Sequence, residues 1–114
     1  MSTRILAGAA AGVLVGVLAS SAAVVAQGLA DLHAQVRIGN RICMLDHFHT
    51  GSGTGPSKDA AMKSAIASWS GFTGWEYGGN WGSWRLSESR HGKCEPSLGG
   101  GWSCTIHSRP CRPR

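Results

Sequence analysis

The amino-acid sequence predicts a small α+β domain, in which one helix packs on a short antiparallel sheet and two disulfides fasten the fold. Apolar residues recur every three or four positions after Ser57, which is the period of a helix with one buried face. Runs rich in β-branched and aromatic residues lie on both sides of that segment. The four cysteines are an even number in a short chain, and this is typical of a disulfide framework.

The first 26 residues predict a secretory signal. Arg4 is followed by an uninterrupted apolar and small-residue run from Ile5 to Ala26, which ends in a small-residue cleavage site. At about 20 residues the run is also long enough for an uncleaved membrane anchor, but its many Ala, Gly and Ser residues favour cleavage. We therefore expect a periplasmic or secreted protein cut near Ala26, with a second cut after Ala34 and a retained anchor as alternatives.

The part of the chain that we expect to be exported carries a net positive charge. Without Arg4, 10 Lys and Arg residues face 6 Asp and Glu residues, a net charge near +4. This balance favours an anionic partner, such as an acidic polysaccharide, another envelope component or an acidic protein, and the plain alternative is solubility. A membrane partner is expected only if the leader is retained.

Residues 27–35 predict a linker or a short helical segment, and the domain is expected over residues 36–114. Within residues 36–49, RICMLDHFH has the length and composition of a strand. In a strand, one face would carry the side chains of Cys43, Leu45, His47 and His49. The glycines of the following HTGSGTGP predict a turn.

The next segment predicts the helix. Ser57 is a natural N-cap, and Asp59 places negative charge at the positive end of the helix dipole. The expected buried stripe consists of Met62, Ala65, Ile66, Trp69 and Phe72. Two glycines in the following residues weaken a helix, so we expect it to end between Trp69 and Tyr77.

The C-terminal part predicts a hairpin. SWRLSESRHGKC and GGGWSCTIHSRPC read as strands joined by EPSLGGG. Such a hairpin brings Cys94 near Cys104, which favours that bridge and leaves Cys43 to pair with Cys111. Four cysteines permit three pairings, and the other two stay open.

Two groups of side chains are candidates for ligand binding. His47 and His49 would share one strand face, where neutral imidazoles can bind one metal ion, with His91, His107 or a carboxylate as third ligand. A glycine-rich stretch holds most of the tryptophans, and aromatic rings beside an arginine can stack on sugars or anionic glycans. That platform would consist of Trp75, Trp81, Trp84 and Arg85. The alternatives are ordinary polar histidines and tryptophans that fill the core.

Other activities find little support. GSGTGPSK lacks the Gly-Lys-Ser/Thr order of a phosphate loop, so no nucleotide is expected. The segment resembles the start of the last helix of double-stranded RNA-binding domains, but Asp59 and Met62 occupy the positions of two phosphate-contacting lysines, so nucleic acid is not expected either. No activated nucleophile or paired acid and base is recognisable. We expect a non-enzymatic protein without a cofactor.

The motifs HFHxGSGxG, SKxAA, the tryptophan-rich middle, CxxxxxxxxxC and the closing Pro-Cys-Arg give the chain a family resemblance. It resembles small exported disulfide-containing bacterial proteins of unassigned function. The leading hypothesis is an exported basic binding or structural protein of the cell envelope or extracellular space, with an anionic or glycan ligand. The alternatives are a metal-binding accessory protein that uses His47 and His49, and a small secreted toxin or hydrolase.

Overall fold

The structure is a computed structural model that describes residues 8, 11–12 and 29–114. The predicted cleavage near Ala26 and almost all of the predicted signal lie outside the described residues. Within them, no helix is long and apolar enough to cross a bilayer.

The described chain forms one long helix and two antiparallel sheets of three strands. The elements in chain order are β1 (Gln35–Ile38), β2 (Arg41–Met44), β3 (His49–Gly55), α1 (Lys58–Tyr77), β4 (Glu88–Pro96), β5 (Trp102–Arg109) and β6 (Cys111–Pro113). Short 3-10 turns at Gly79–Trp81 and Trp84–Leu86 connect α1 to β4. The strand orders are β1-β2-β6 and β3-β5-β4. The predicted α+β class is confirmed.

Only the first part of the predicted strand RICMLDHFH forms a strand, β2 (Arg41–Met44). The chain reverses at Gly39 and Asn40, so that β1 and β2 form a hairpin. Gly39 has φ +60°, a left-handed conformation that glycine adopts without steric cost. After β2, residues 45–48 leave the sheet, and His47 therefore precedes β3 while His49 begins it.

The predicted turn over HTGSGTG is wrong, because these residues form strand β3. The glycines serve close packing against α1. A Cβ atom at Gly51 would lie 2.7 Å from the backbone nitrogen of Trp69, and one at Gly55 would lie 2.8 Å from that of Ala61. No side chain fits in these gaps, so the strand needs glycine on this face.

Helix α1 begins where it was predicted. The Ser57 hydroxyl accepts a hydrogen bond of 3.1 Å from the Ala60 N–H, and the helix ends at Tyr77, within the expected range. The buried row is Ala61, Ala65, Trp69, Thr73 and Tyr77. Phe72 was expected in this row but is 46% exposed, because the row that packs on the β3 glycines recurs every fourth residue and passes through Thr73 instead. Met62 and Ile66 pack at its edge.

Both predicted disulfides are confirmed. Cys94 pairs with Cys104 across β4 and β5, and Cys43 pairs with Cys111 across β2 and β6. The first bridge lies in a core cluster with Trp69 and Ile106 between α1 and its sheet.

A second core cluster begins before β1. Residues 29–31 are helical, and Ala30, 2% exposed, packs with Met44, Tyr77 and Trp81. The ordered domain therefore starts earlier than residue 36. A cut after Ala34 would remove part of this core, whereas a cut near Ala26 would keep it.

Candidate metal centre

Three side chains from distant parts of the sequence meet at one end of the domain. His33 lies before β1, His47 lies between β2 and β3, and Glu76 lies in the last turn of α1. Their metal-ligating atoms all lie within 4.8 Å of one another, and each side chain is half-buried. The rings of His33 and His47 are 4.4 Å apart between centroids.

Backbone hydrogen bonds hold the two histidines together. The His33 N–H donates to the carbonyl of Ala30, which closes the short turn that precedes β1. The Leu45 N–H donates to the carbonyl of Ala34 at 2.9 Å. This second bond extends the pairing of β1 with β2 by one residue beyond Gln35 and Met44, and it places the segment after His33 beside the loop that carries His47.

His49 lies behind Glu76 and is 3% exposed. Its Nδ1 is 2.8 Å from the Thr73 hydroxyl oxygen, and its Nε2 is 3.1 Å from Oε2 of Glu76. The second contact has the distance of an ion pair but not the direction of a hydrogen bond. His49 therefore lies against Glu76 on the protein side without a hydrogen bond between them.

The environment of His49 favours the neutral imidazole. Burial, with smaller contributions from the neighbouring charges of His47 and His33, lowers the pKa of His49 to about 4. A neutral ring carries one N–H. With that proton on Nε2, the N–H faces Glu76 and Nδ1 accepts the hydroxyl proton of Thr73.

Tyr77 forms the floor of the cluster. Its ring stacks on His49 at 4.8 Å and meets His33 and His47 edge-on at 5.5 and 6.0 Å. Burial, and secondarily the charge of Glu76, raises the pKa of Tyr77 to about 12, so the phenol stays protonated at neutral pH. These contacts restrict the three imidazoles on one side and leave the outer side open.

A small hollow opens on that outer side. Its volume is about 230 Å³, and it is lined by Leu32, His33, Ala34, Asp46 and His47. Two of the three ligand side chains therefore border space that another group can enter, beside a further carboxylate.

Two imidazoles and one carboxylate are a ligand set for zinc or copper. Ligands bonded to zinc at 2.0–2.1 Å in a tetrahedron stand about 3.4 Å apart. The ligand atoms here lie within 4.8 Å of one another, so a bound ion would require the half-buried side chains to move closer together. Three protein ligands leave one coordination position for water or an incoming molecule.

The structure places the predicted metal ligands differently from the expected pair. His47 belongs to the cluster of three, whereas His49 lies behind it with its nitrogens at Thr73 and Glu76. His91 and His107, expected as third-ligand candidates, stack on each other at 4.9 Å across β4 and β5. The third member of the cluster is a carboxylate, Glu76.

The predicted tryptophan platform is not assembled. Trp81 is 5% exposed and packs against Tyr77, and Trp84 packs edge-on against Trp69 at 5.3 Å. Only Trp75, 74% exposed beside Phe72, presents most of its ring to solvent. Arg85 is exposed on the turn that follows. The tryptophans do not share one surface because a small domain uses its large rings to fill the core.

Sequence reasoning missed His33 and the role of Glu76. No spacing motif marks His33, because its contact with His47 depends on the backbone bond between Leu45 and Ala34. Glu76 reaches the site only because α1 extends to Tyr77.

Comparison with known proteins gives no guide to this site. No known protein family, curated protein or solved structure matches the chain.

Proposed function

We propose that this chain is an exported, non-enzymatic protein that binds a divalent transition-metal ion, zinc or copper, through His33, His47 and Glu76. One observation carries the proposal: the ligand atoms of these three side chains lie within 4.8 Å of one another. The two disulfides are consistent with an extracellular or periplasmic location, since such bonds persist in oxidising compartments.

The oxidised state of the cysteines supports imidazole and carboxylate groups as the metal ligands. The described residues contain no free cysteine, so thiolate ligands are not available in the oxidised protein. Imidazole nitrogen and carboxylate oxygen then remain as the groups that bind zinc or copper at neutral pH.

Local charge also supports a cation at this end of the molecule. The chain carries a formal net charge of +5, yet Glu76 and Asp46 are both placed around the paired imidazoles. A bound divalent ion would be attracted by two carboxylates, only one of which is needed as a direct ligand.

Metal titration of purified, chelator-treated protein tests the proposal. We expect one zinc or copper ion per chain by calorimetry and by elemental analysis. Replacing both His33 and His47 by alanine should weaken binding at least about tenfold, because two of three ligands are lost. The double variant His91→Ala and His107→Ala is the matched control and should keep the parent affinity.

Equal weakening in both double variants would contradict this assignment, as would a protein that binds no metal.

Binding of an anionic or glycan partner stays a prediction from charge and composition. Trp75→Ala measures it separately, through retention on an acidic polysaccharide.

A further inference from the structure

The hollow beside the metal centre has a composition that matches a particular kind of ligand. Asp46 supplies a carboxylate, and His33 and His47 supply two of the ligands of the proposed ion. Leu32 and Ala34, which are both exposed, complete the lining. At about 230 Å³ the hollow is smaller than the sites that hold drug-sized molecules. It therefore suits a flat group of a few atoms.

We propose that this hollow receives an imidazole as the fourth metal ligand, with one ring nitrogen on the ion and the N–H of the other donated to Asp46. The inference rests on the proposed metal binding and adds the identity of the incoming ligand. The imidazole would belong to a histidine-containing peptide segment or to a free small molecule.

The chemistry of metal-bound histidine favours this assignment. A coordinated imidazole almost always donates its second N–H to a carboxylate or a carbonyl, which fixes its orientation and strengthens it as a ligand. Asp46 provides such an acceptor in the same hollow as two of the ligands.

Other ligands fit less well. An incoming carboxylate would be repelled by Asp46 and Glu76, because like charges at short range raise the free energy of binding. A neutral imidazole carries no charge for the two carboxylates to repel, and its second N–H can donate to the acceptor that Asp46 supplies.

Cobalt-loaded protein provides the test, because the visible absorption of Co²⁺ changes when a ligand enters its coordination shell. The probes are imidazole and 1-methylimidazole, which lacks the second N–H. We expect the parent protein to bind imidazole about tenfold more tightly, since only imidazole makes the charge-assisted hydrogen bond. N-acetylhistidine amide, as a third probe, distinguishes a peptide ligand from a free small molecule.

Asp46→Ala should abolish the preference for imidazole while cobalt still binds. Asp31→Ala is the matched control, because Asp31 lines a different cavity with Trp81 and Arg112, and it should keep the preference. Equal binding of the two probes, no binding of either, or a preference that survives in Asp46→Ala would overturn the inference and leave metal binding intact. Failure of cobalt, zinc and copper to bind at all would overturn both proposals.

Discussion

His49 is a buried residue that contacts Glu76, a ligand of the proposed metal centre, without itself belonging to the ligand set. Its ring lies between Thr73 and Glu76, and it also stacks on Tyr77. Groups that orient a metal-bound carboxylate are a second layer of the site, and their loss typically weakens binding by 10–100-fold. We therefore infer that His49 would position Glu76 in the proposed metal centre.

Replacing His49 by phenylalanine separates this role from packing. The phenyl ring keeps the stack on Tyr77 but removes both nitrogens, so we expect zinc affinity to fall about tenfold. Calorimetry measures the affinity, and circular dichroism checks that the fold is kept. An unchanged affinity in a folded variant would show that His49 has no positioning role.

The lowered pKa of His49 also predicts the pH dependence of stability. The folded protein holds the pKa of this imidazole at about 4, against about 6.5 when unfolded, so the unfolded chain binds the extra proton first as pH falls. The contribution of His49 to the free energy of unfolding is fully present above pH 6.5. It is lost between about pH 6.5 and 4, and the free energy of unfolding falls by about 3 kcal/mol. Urea unfolding with a chelator present, at pH 7 and pH 4.5, measures this loss.

The variant His49→Phe supplies the comparison for that experiment. It lacks the titrating group, so its stability should fall by less over the same range of pH. The same loss of stability in the parent and the variant would assign the effect to other groups.

At the scale of elements, strand β3 and helix α1 pack at unusually short range. The glycines of β3 face Ala61, Ala65 and the backbone of α1. Close contact here brings His49, at the start of the strand, against Thr73 in the helix. The packing of β3 on α1 thus places His49 behind Glu76 in the proposed metal centre.

Substituting Gly53 by alanine should break this packing. The added methyl would overlap the helix backbone near Ala65, and we expect unfolding free energy to fall by at least about 2 kcal/mol. Gly71→Ala is the matched control, because it lies in α1 with open space around it and should raise stability by up to about 1 kcal/mol. Thermal denaturation measures both, and equal stability of the two variants would contradict this packing.

The same glycines explain where sequence-based prediction of the elements succeeded and failed. The helix was predicted from its apolar period and from the local start signal at Ser57. The hairpin was predicted from the composition of its two strands and the loop EPSLGGG, and the bridge between Cys94 and Cys104 followed from that hairpin. HTGSGTG was mistaken for a turn, since local composition does not reveal that a helix packs on it. The site was predicted only at His47, because its other ligands come together through tertiary contacts.

At the scale of the molecule, two disulfides tie together a domain with small core clusters. Cys43–Cys111 joins residues 68 apart in sequence, and Cys94–Cys104 joins residues 10 apart. The longer link restricts the unfolded chain more, so it should contribute about 4 kcal/mol against about 3 kcal/mol for the shorter one. It also fixes β6 against β2, within the sheet that leads to His47.

Replacing one cysteine pair at a time by serine tests this difference. We expect Cys43→Ser with Cys111→Ser to lose more stability than Cys94→Ser with Cys104→Ser, by about 1 kcal/mol. Urea unfolding of the two double variants gives the comparison. Greater loss from the shorter link would show that strand packing outweighs chain entropy.

X-ray absorption of the zinc-loaded, oxidised protein tests the metal centre most directly. Two imidazole nitrogens and the Glu76 oxygen predict a first shell of nitrogen and oxygen at 2.0–2.2 Å, with the outer-shell scattering of imidazole rings. Sulfur at about 2.3 Å would instead mean that cysteines bind the ion as thiolates, and it would contradict both the ligand set and the disulfide-stabilised fold.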